Sequence, residues 1–430
     1  MPMSMREAGG RLRSLLLTVP AAVRRDYAAT VAVHWCTLGT GLLLFHLVAR
    51  RDGVGGFAFY QVARGWVAAL QPLILVGLGT GLPRYLPRAG AAAPGLVRGA
   101  LGVQLTILAA VAAVVLTPSE AVAVRLGLGG GTAAVAAITV LLAGNCLCNT
   151  VVAGLRGTGQ VTYANVASLI GFAVLPVAAF AVTRRIEAFL VLYGAGMAVV
   201  AAAAAVVTRP PATAAADPPA LSAVLRYGLR RMLGDLALPA LFAFPALAVA
   251  VTRPGAPEVG YVGFVTSAIT LVCAFVGMLT PVLLPRLSAH FHLGTGGPSL
   301  HRALVLMPLA AAGLVAVLVL IIALPAPMLI RYFLGAEFSP TVPLLRIGML
   351  AAVPLAVFYA VRPTLDALHE WPVAANPVVG CLALQVLSTY VLSRVLDLPL
   401  ATVLALALAA AALGLTCWVR LRHEMAKRAL

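Results

Sequence analysis

The sequence is poor in charge, and poorest in acids. Only 10% of its 430 residues are charged, and 13 Asp and Glu stand against 30 basic residues. A soluble domain carries about a quarter charged residues, so a chain that is 62% hydrophobic, with a mean hydropathy of +1.02, is not built to dissolve in water. Lysine is almost missing: Lys427 is the single one, and every other base is arginine. Paired metal ligands are lacking too. The six cysteines lie inside apolar runs, and Cys146-Leu147-Cys148 lacks the two-residue gap of a redox or zinc pair. That excludes a disulfide framework and leaves no metal and no cofactor to expect. No basic stretch alternates with aromatics as base-stacking surfaces do, so the charge of +17 does not point to nucleic acid. Residues 1–27 are basic and broken by Gly9, Gly10 and Pro20, unlike a cleaved signal peptide, and read as a short interfacial helix.

What is present is hydrophobic length. A membrane crossing needs roughly 20 mostly apolar residues. Runs bounded by charge, Gly or Pro predict spans near 28–49, 58–82, 99–117, 132–154, 164–183 and 188–208, then 232–252, 261–284, 303–325, 345–366, 376–396 and 401–420. This is an all-α integral membrane protein of about twelve transmembrane helices. The expected divisions are an N-terminal segment 1–27, a first six-helix bundle 28–208, a polar connector 209–231, a second bundle 232–420 and a tail 421–430. With the N-terminus inside, twenty Lys and Arg fall on the inner side and nine on the outer. The positive-inside rule then places both termini in the cytoplasm and the chain in the cell membrane.

An internal repeat marks the halves. VGLGTGLPRYLP at 76–87 returns as VGMLTPVLLPRLS at 276–288, with Gly77 and Thr80 answered by Gly277 and Thr280 and Pro83-Arg84 by Pro285-Arg286. Arg125 is echoed by Arg331, and Ala164-Asn165 by Ala375-Asn376. The offsets rise in order, as duplication followed by small insertions would leave them. Copies with an even number of spans are parallel, related by an axis along the membrane normal, and enclose a central cavity.

Polar side chains in lipid turn inward, so their spacing marks wet faces. Asp26, Thr30, His34, Thr37 and Gly41 form one stripe of span one; Gln61, Arg64 and Gln71 form one of span two. Span four carries Asn145, Asn149 and Arg156, span seven Asp235, span eight Thr266, Thr270, Cys273 and Gly277, span ten Tyr359, Arg362 and Asp366, and span eleven Gln385 and Thr389. Spans three, six, nine and twelve are poorer in such groups and should face lipid. Bland roles compete for each: Asn145, Asn149 and Gln385 could only join helices, His34 could be an interior histidine with its hydrogen bonds met, and Asp366 could pair with Arg362 one turn back. Arg64 is set apart by having no acid within a helical turn. The cavity residues expected from this pattern are Arg64, Arg362, His34, Asn145, Asn149, Gln71 and Asp235.

GVGGFAFYQ at 53–61, GLGTGLPRYLP, GLRGTGQ at 154–160, YVGFVTSAITLVCAFVGMLTPVLLPRLS at 261–288 and IRYFLGAEFSPTVPLLRI at 330–347 resemble one family. They are similar to the polysaccharide, or lipid-linked oligosaccharide, flippases of the multidrug/oligosaccharidyl-lipid/polysaccharide exporter superfamily. The resemblance runs through nearly the whole chain, and none of these motifs is catalytic. It implies two six-helix bundles and alternating access that carries a polyprenyl-diphosphate glycan, such as an O-antigen unit, to the outer leaflet. It also implies a cationic cavity and no enzyme activity, with membrane lipid and glycan-assembly enzymes as partners. Arginine suits that substrate because its planar fork matches phosphate. The pairs Pro83-Arg84 and Pro285-Arg286 are expected at the inner mouth, as hinge and charge of a gate. Peptidoglycan-precursor flippases usually carry fourteen spans, and no extra pair is found here. A drug or metabolite antiporter would need an acidic cation site, for which Asp26 and Asp235 are the candidates. A membrane polymerase or ligase would need a larger external loop than any present.

Overall fold

The computed structural model describes residues 21–117, 119–128, 131–208, 220–278, 298–368, 373 and 375–429. Among these residues there are helices and no strands. Eleven helices are long and apolar enough to cross a membrane. The first of them is two spans in one. Helix α1, Ala21–Leu75, folds back at Gly53, whose φ of 64° and ψ of −164° lie far from helical values and in a region that L side chains rarely adopt. As a result the rings of Phe45 and Tyr60 lie 6.2 Å apart, where a straight helix would separate those positions by about 22 Å. Counting both limbs gives twelve spans among the described residues.

The remaining helices follow in order: α2 (Leu78–Tyr85), α3 (Ala93–Leu116), α4 (Ser119–Arg125), α5 (Gly131–Gly157), α6 (Val161–Val182), α7 (Ile186–Val206), α8 (Leu221–Thr252), α9 (Glu258–Gly277), α10 (Pro298–Ala323), α11 (Ala326–Phe333), α12 (Thr341–Leu368), α13 (Ala375–Leu392) and α14 (Leu398–Ala429). Pro176 has no N–H to give back to the preceding turn, and α6 widens into a π turn at Ile170–Val174 just before it. The repeat is visible in the elements. A short helix, α4, follows the third span and ends on Arg125, and a second, α11, follows the ninth and holds Arg331. At single residues the symmetry is looser: Asn165 is buried and bonded to Thr30, whereas Asn376 is exposed.

Two expectations need correction. The polar connector does not run to residue 231, because α8 is already helical from Leu221; charged turns end a hydrophobic run without ending a helix. Span twelve, expected to face lipid, is exposed along one side only, at Leu408, Leu415 and Val419. Helix α14 is among the most enclosed, with Ala401, Val403, Ala405, Leu406, Ala409, Ala410, Leu413 and Cys417 fully buried. Inside a bilayer the absence of polar groups does not separate a lipid face from a packed one, and small residues favour close packing. Few residues of spans three and nine are buried, as a lipid-facing position would leave them.

The halves meet where α1 packs on α8 and α9, and where α2 packs on α8. At the end where α1 begins and α14 finishes, α1 gives way to α2 through Val76 (φ 47°) and Gly77 (φ 69°). A Cβ at Gly77 would run into the backbone of Gly228 on α8, and one at Gly228 into Val76, so glycine on both sides lets the two main chains touch.

Candidate functional site

A cavity of about 560 Å³ lies between the halves, within the size range of ligand sites. Both limbs of α1, with α5, α6 and α7, line it from one side, and α8, α9 and α12 from the other. Thr37 and Gly41 of the first stripe, Gln61, Arg64 and Gln71 of the second, and Asn145 all reach it, as do Thr266, Thr270 and Tyr359. Among the described residues Arg64 is the only charged one in the cavity's lining.

Arg64 is held without an acid. Its Nη1 donates to Gln61 Oε1 at 3.2 Å and to Ser267 Oγ at 3.3 Å. Its guanidinium carbon lies 4.7 Å from the centre of the Phe45 ring and 5.7 Å from that of Tyr60. Ser267 sits on α9, so this bond crosses from one half to the other. An arginine satisfied only by neutral partners and ring faces keeps its full charge available to an anion in a site of reduced dielectric.

Beyond Arg64, toward Gly53, aromatic rings pack across the end of the cavity. Phe45, Phe57 and Phe264 pack on one another with centroids 5.9 to 6.5 Å apart, and Phe57 meets Phe338 at 5.3 Å. Just past them, His46 Nδ1 lies 2.6 Å from the Phe333 carbonyl, and Arg50 Nη2 donates to the Tyr332 carbonyl at 2.7 Å. Those carbonyls end α11, where a helix has no partners of its own to offer them. At the other end the seam between α1 and α9 is closed by the edge of Trp35 on Phe275, with centroids 4.7 Å apart.

Other expected site residues lie elsewhere. Asp235 and Arg362 are not in the central cavity. They line a second pocket, about 170 Å³, inside the second half, with Arg231 and Asp366. There Arg362 pairs with Asp366 at 3.5 Å, the local role weighed for it from sequence. A stripe gives the face of a helix but not which neighbour that face meets. His34 is exposed and Asn149 donates to the Asn145 side chain at 3.0 Å; neither lines the cavity. Gln385 is buried and donates to the Leu241 carbonyl at 3.0 Å, a helix-joining role. Pro83 and Arg84 lie on α2 at the terminal end, where Arg84 donates to Tyr227 of the other half. Pro285 and Arg286 fall outside the described residues. Among the described residues no group of His, Cys, Asp and Glu is placed to hold a metal. Sequence reasoning passed over Phe45, Tyr60, Tyr193, Phe242 and Ser267 as site residues. Aromatics count as apolar in a periodicity reading, so only the motif GVGGFAFYQ carried a hint of Tyr60.

No protein-family model matches the chain, and neither does any curated protein. Solved structures do. The inward-facing form of a multidrug resistance MATE family transporter of the MOP superfamily matches with a TM-score of 0.71 at 15% identity, over 94% of this chain and 98% of the other. The lipid II flippase MurJ, in an inward closed conformation, gives 0.63 at 13% identity, over 91% and 87%. A MOP superfamily transporter from Pyrococcus furiosus, described as having a binding pocket of reverse polarity that suggests a different function, gives 0.60 at 16%, over 94% and 97%. At these identities the likeness speaks for architecture: the chain has the fold of MOP superfamily transporters, with its cavity between two sets of six spans.

Proposed function

We propose that the protein is a flippase that carries a polyprenyl-diphosphate-linked oligosaccharide from the cytoplasmic to the outer leaflet for cell-surface polysaccharide assembly. The observation that carries this reading is Arg64: among the described residues the central cavity is lined by one arginine and by no acid. A cavity of that character favours an anionic headgroup, and guanidinium is the side chain best matched to phosphate. The neutral polar and aromatic lining, including Gln71, Asn145, Tyr193 and Tyr359, supplies hydrogen-bonding and stacking partners for sugars. In this reading the halves at 28–208 and 232–420 move as bodies around the cavity, both termini are cytoplasmic, and the aromatic closure by Phe45 is the outer gate. Arg84 on Tyr227 belongs to the inner mouth, as half of the gate expected from Pro83-Arg84 and Pro285-Arg286.

Among the fold relatives, one is described as a lipid II flippase and others as multidrug transporters, so the fold serves both classes. The antiporter reading would draw on Asp26 and Asp235. Asp26 lies 4.0 Å from Arg25 and lines neither pocket. Asp235 shares the second pocket with Arg231, Arg362 and Asp366, two arginines to two acids, which leaves no surplus negative charge for a cationic drug. The deciding experiment reconstitutes the protein in vesicles and follows a fluorescent polyprenyl-diphosphate sugar across the bilayer. Translocation that falls in Arg64→Ala and persists in Arg125→Ala supports the reading. Equal effects of the two, or proton-driven drug efflux that is lost in Asp235→Asn, would sink it.

A further inference from the structure

The same phenyl ring serves two structures. Phe45 lies under the Arg64 guanidinium, 4.7 Å from its carbon, and it is also the ring on which Phe57, Tyr60 and Phe264 converge. Phe264 continues to Phe333 at 6.3 Å, and the Phe333 carbonyl meets His46 one residue along from Phe45. The chain of contacts therefore runs from Arg64 to the closure at the far end without a gap. Arg64 also ties the halves directly, through Ser267.

Resting on the flippase reading, we propose that Phe45 is a positioning residue that couples capture of the anionic headgroup by Arg64 to opening of the far closure. The cation contributes to holding Phe45 in place only while its charge faces the ring. A diphosphate that binds Arg64 takes up its N–H groups and neutralises that charge, which weakens both the cation–π contact and the bond to Ser267. The ring then loses one of its supports at the moment the cavity fills. Loss of such a contact changes a conformational equilibrium by about two- to thirty-fold. That is enough to bias a gate, and too little to open it in an empty protein held by the remaining aromatic contacts and by His46 and Arg50. Capture thereby precedes opening, and an unloaded transporter stays shut at the far end.

The test separates binding from opening. Spin labels are placed at Arg184→Cys and Val395→Cys, exposed loop positions of the two halves at the far end, in a protein with Cys36 replaced by serine. Geranylgeranyl diphosphate is the probe. In the parent protein the probe should lengthen the distance between labels. At probe concentrations that saturate each variant, Phe45→Leu should fill without the lengthening, and Phe45→Tyr, which keeps the ring, should restore it. Phe45→Met keeps the bulk without the ring and should behave as Phe45→Leu, which guards against a folding defect in one variant. A Leu or Met variant that still lengthens on binding overturns the coupling, as does a Tyr variant that binds without lengthening. Arg64→Ala that binds and opens as the parent does would instead overturn the flippase reading beneath it.

Discussion

Arg84 reaches across the seam between the halves and donates from Nη1 to the Tyr227 hydroxyl, 3.2 Å away. Arg231 donates to the same oxygen at 3.1 Å, and the Arg84 guanidinium lies 4.8 Å from the ring centre. One tyrosine thus gathers two arginines at the terminal end of the molecule. Tyr227→Phe removes the shared acceptor and keeps the ring. We expect it to loosen this seam by about 1 kcal/mol, close to fivefold in the balance of open and closed forms. Spin labels at Arg88→Cys and Leu229→Cys would read that change as a broader distance distribution; an unchanged one would remove Tyr227 from the inner mouth.

The contact of Gly77 with Gly228 predicts a sharp contrast between glycines. Gly228→Ala would drive a methyl into the Val76 carbonyl, and neither backbone can step aside without parting α1 from α8. Overpacking of this kind costs about 1–3 kcal/mol. Gly79, two residues from Gly77, is exposed with open space around its Cα, and Gly79→Ala should be neutral. Thermal unfolding in detergent, followed by loss of the monodisperse peak, would compare the two.

Charge and fork shape can be separated at Arg64. Arg64→Lys keeps the cation but presents a point charge in place of a planar fork. Probe affinity should fall about tenfold or more in Arg64→Ala and by less in Arg64→Lys, as titrated by intrinsic fluorescence. A lysine variant as weak as the alanine one would mean that geometry, and not charge, dominates capture.

Gln385 and Asp235 should prove dispensable for capture. Gln385→Leu breaks one bond to the Leu241 carbonyl, and hydrogen bonds between membrane helices average about 0.6 kcal/mol. Asp235 lies in the second pocket, so Asp235→Asn should leave the Kd for a prenyl diphosphate within a fewfold of the parent value. A tenfold loss in either variant would return that residue to the binding site.

These contrasts also mark what could be read in the sequence. The spans were legible because a bilayer admits little besides long apolar helices: the run at 132–154 is α5, Gly131–Gly157. The start of α8 was not, since Arg226, Arg230 and Arg231 end the apolar run while the helix continues through them. Within the site, Arg64, Gln71 and Asn145 were found because a polar group in a span must face something wet. Asp235 and Arg362 obey the same rule, yet the wet place they face is a different one. Phe45 could not be found at all: a phenylalanine in a hydrophobic run carries no mark of whether it meets lipid, a neighbour or a cation.

The tight fold at Gly53 bears on how the protein is made. Only a few residues separate the two limbs of α1, and Arg51 is tied there to Asp52 and, through Nη1, to the carbonyls of Phe180 and Thr183. Limbs joined so closely would enter a bilayer as a pair; with the N-terminus cytoplasmic, as proposed, Arg50, Arg51 and Asp52 would be the leading tip, and the pairing of Arg51 with its neighbour would lower the cost of carrying that charge across. A chain without that hairpin would lose the partner on which α8 and α9 pack across the seam, while their contacts within the second half remain.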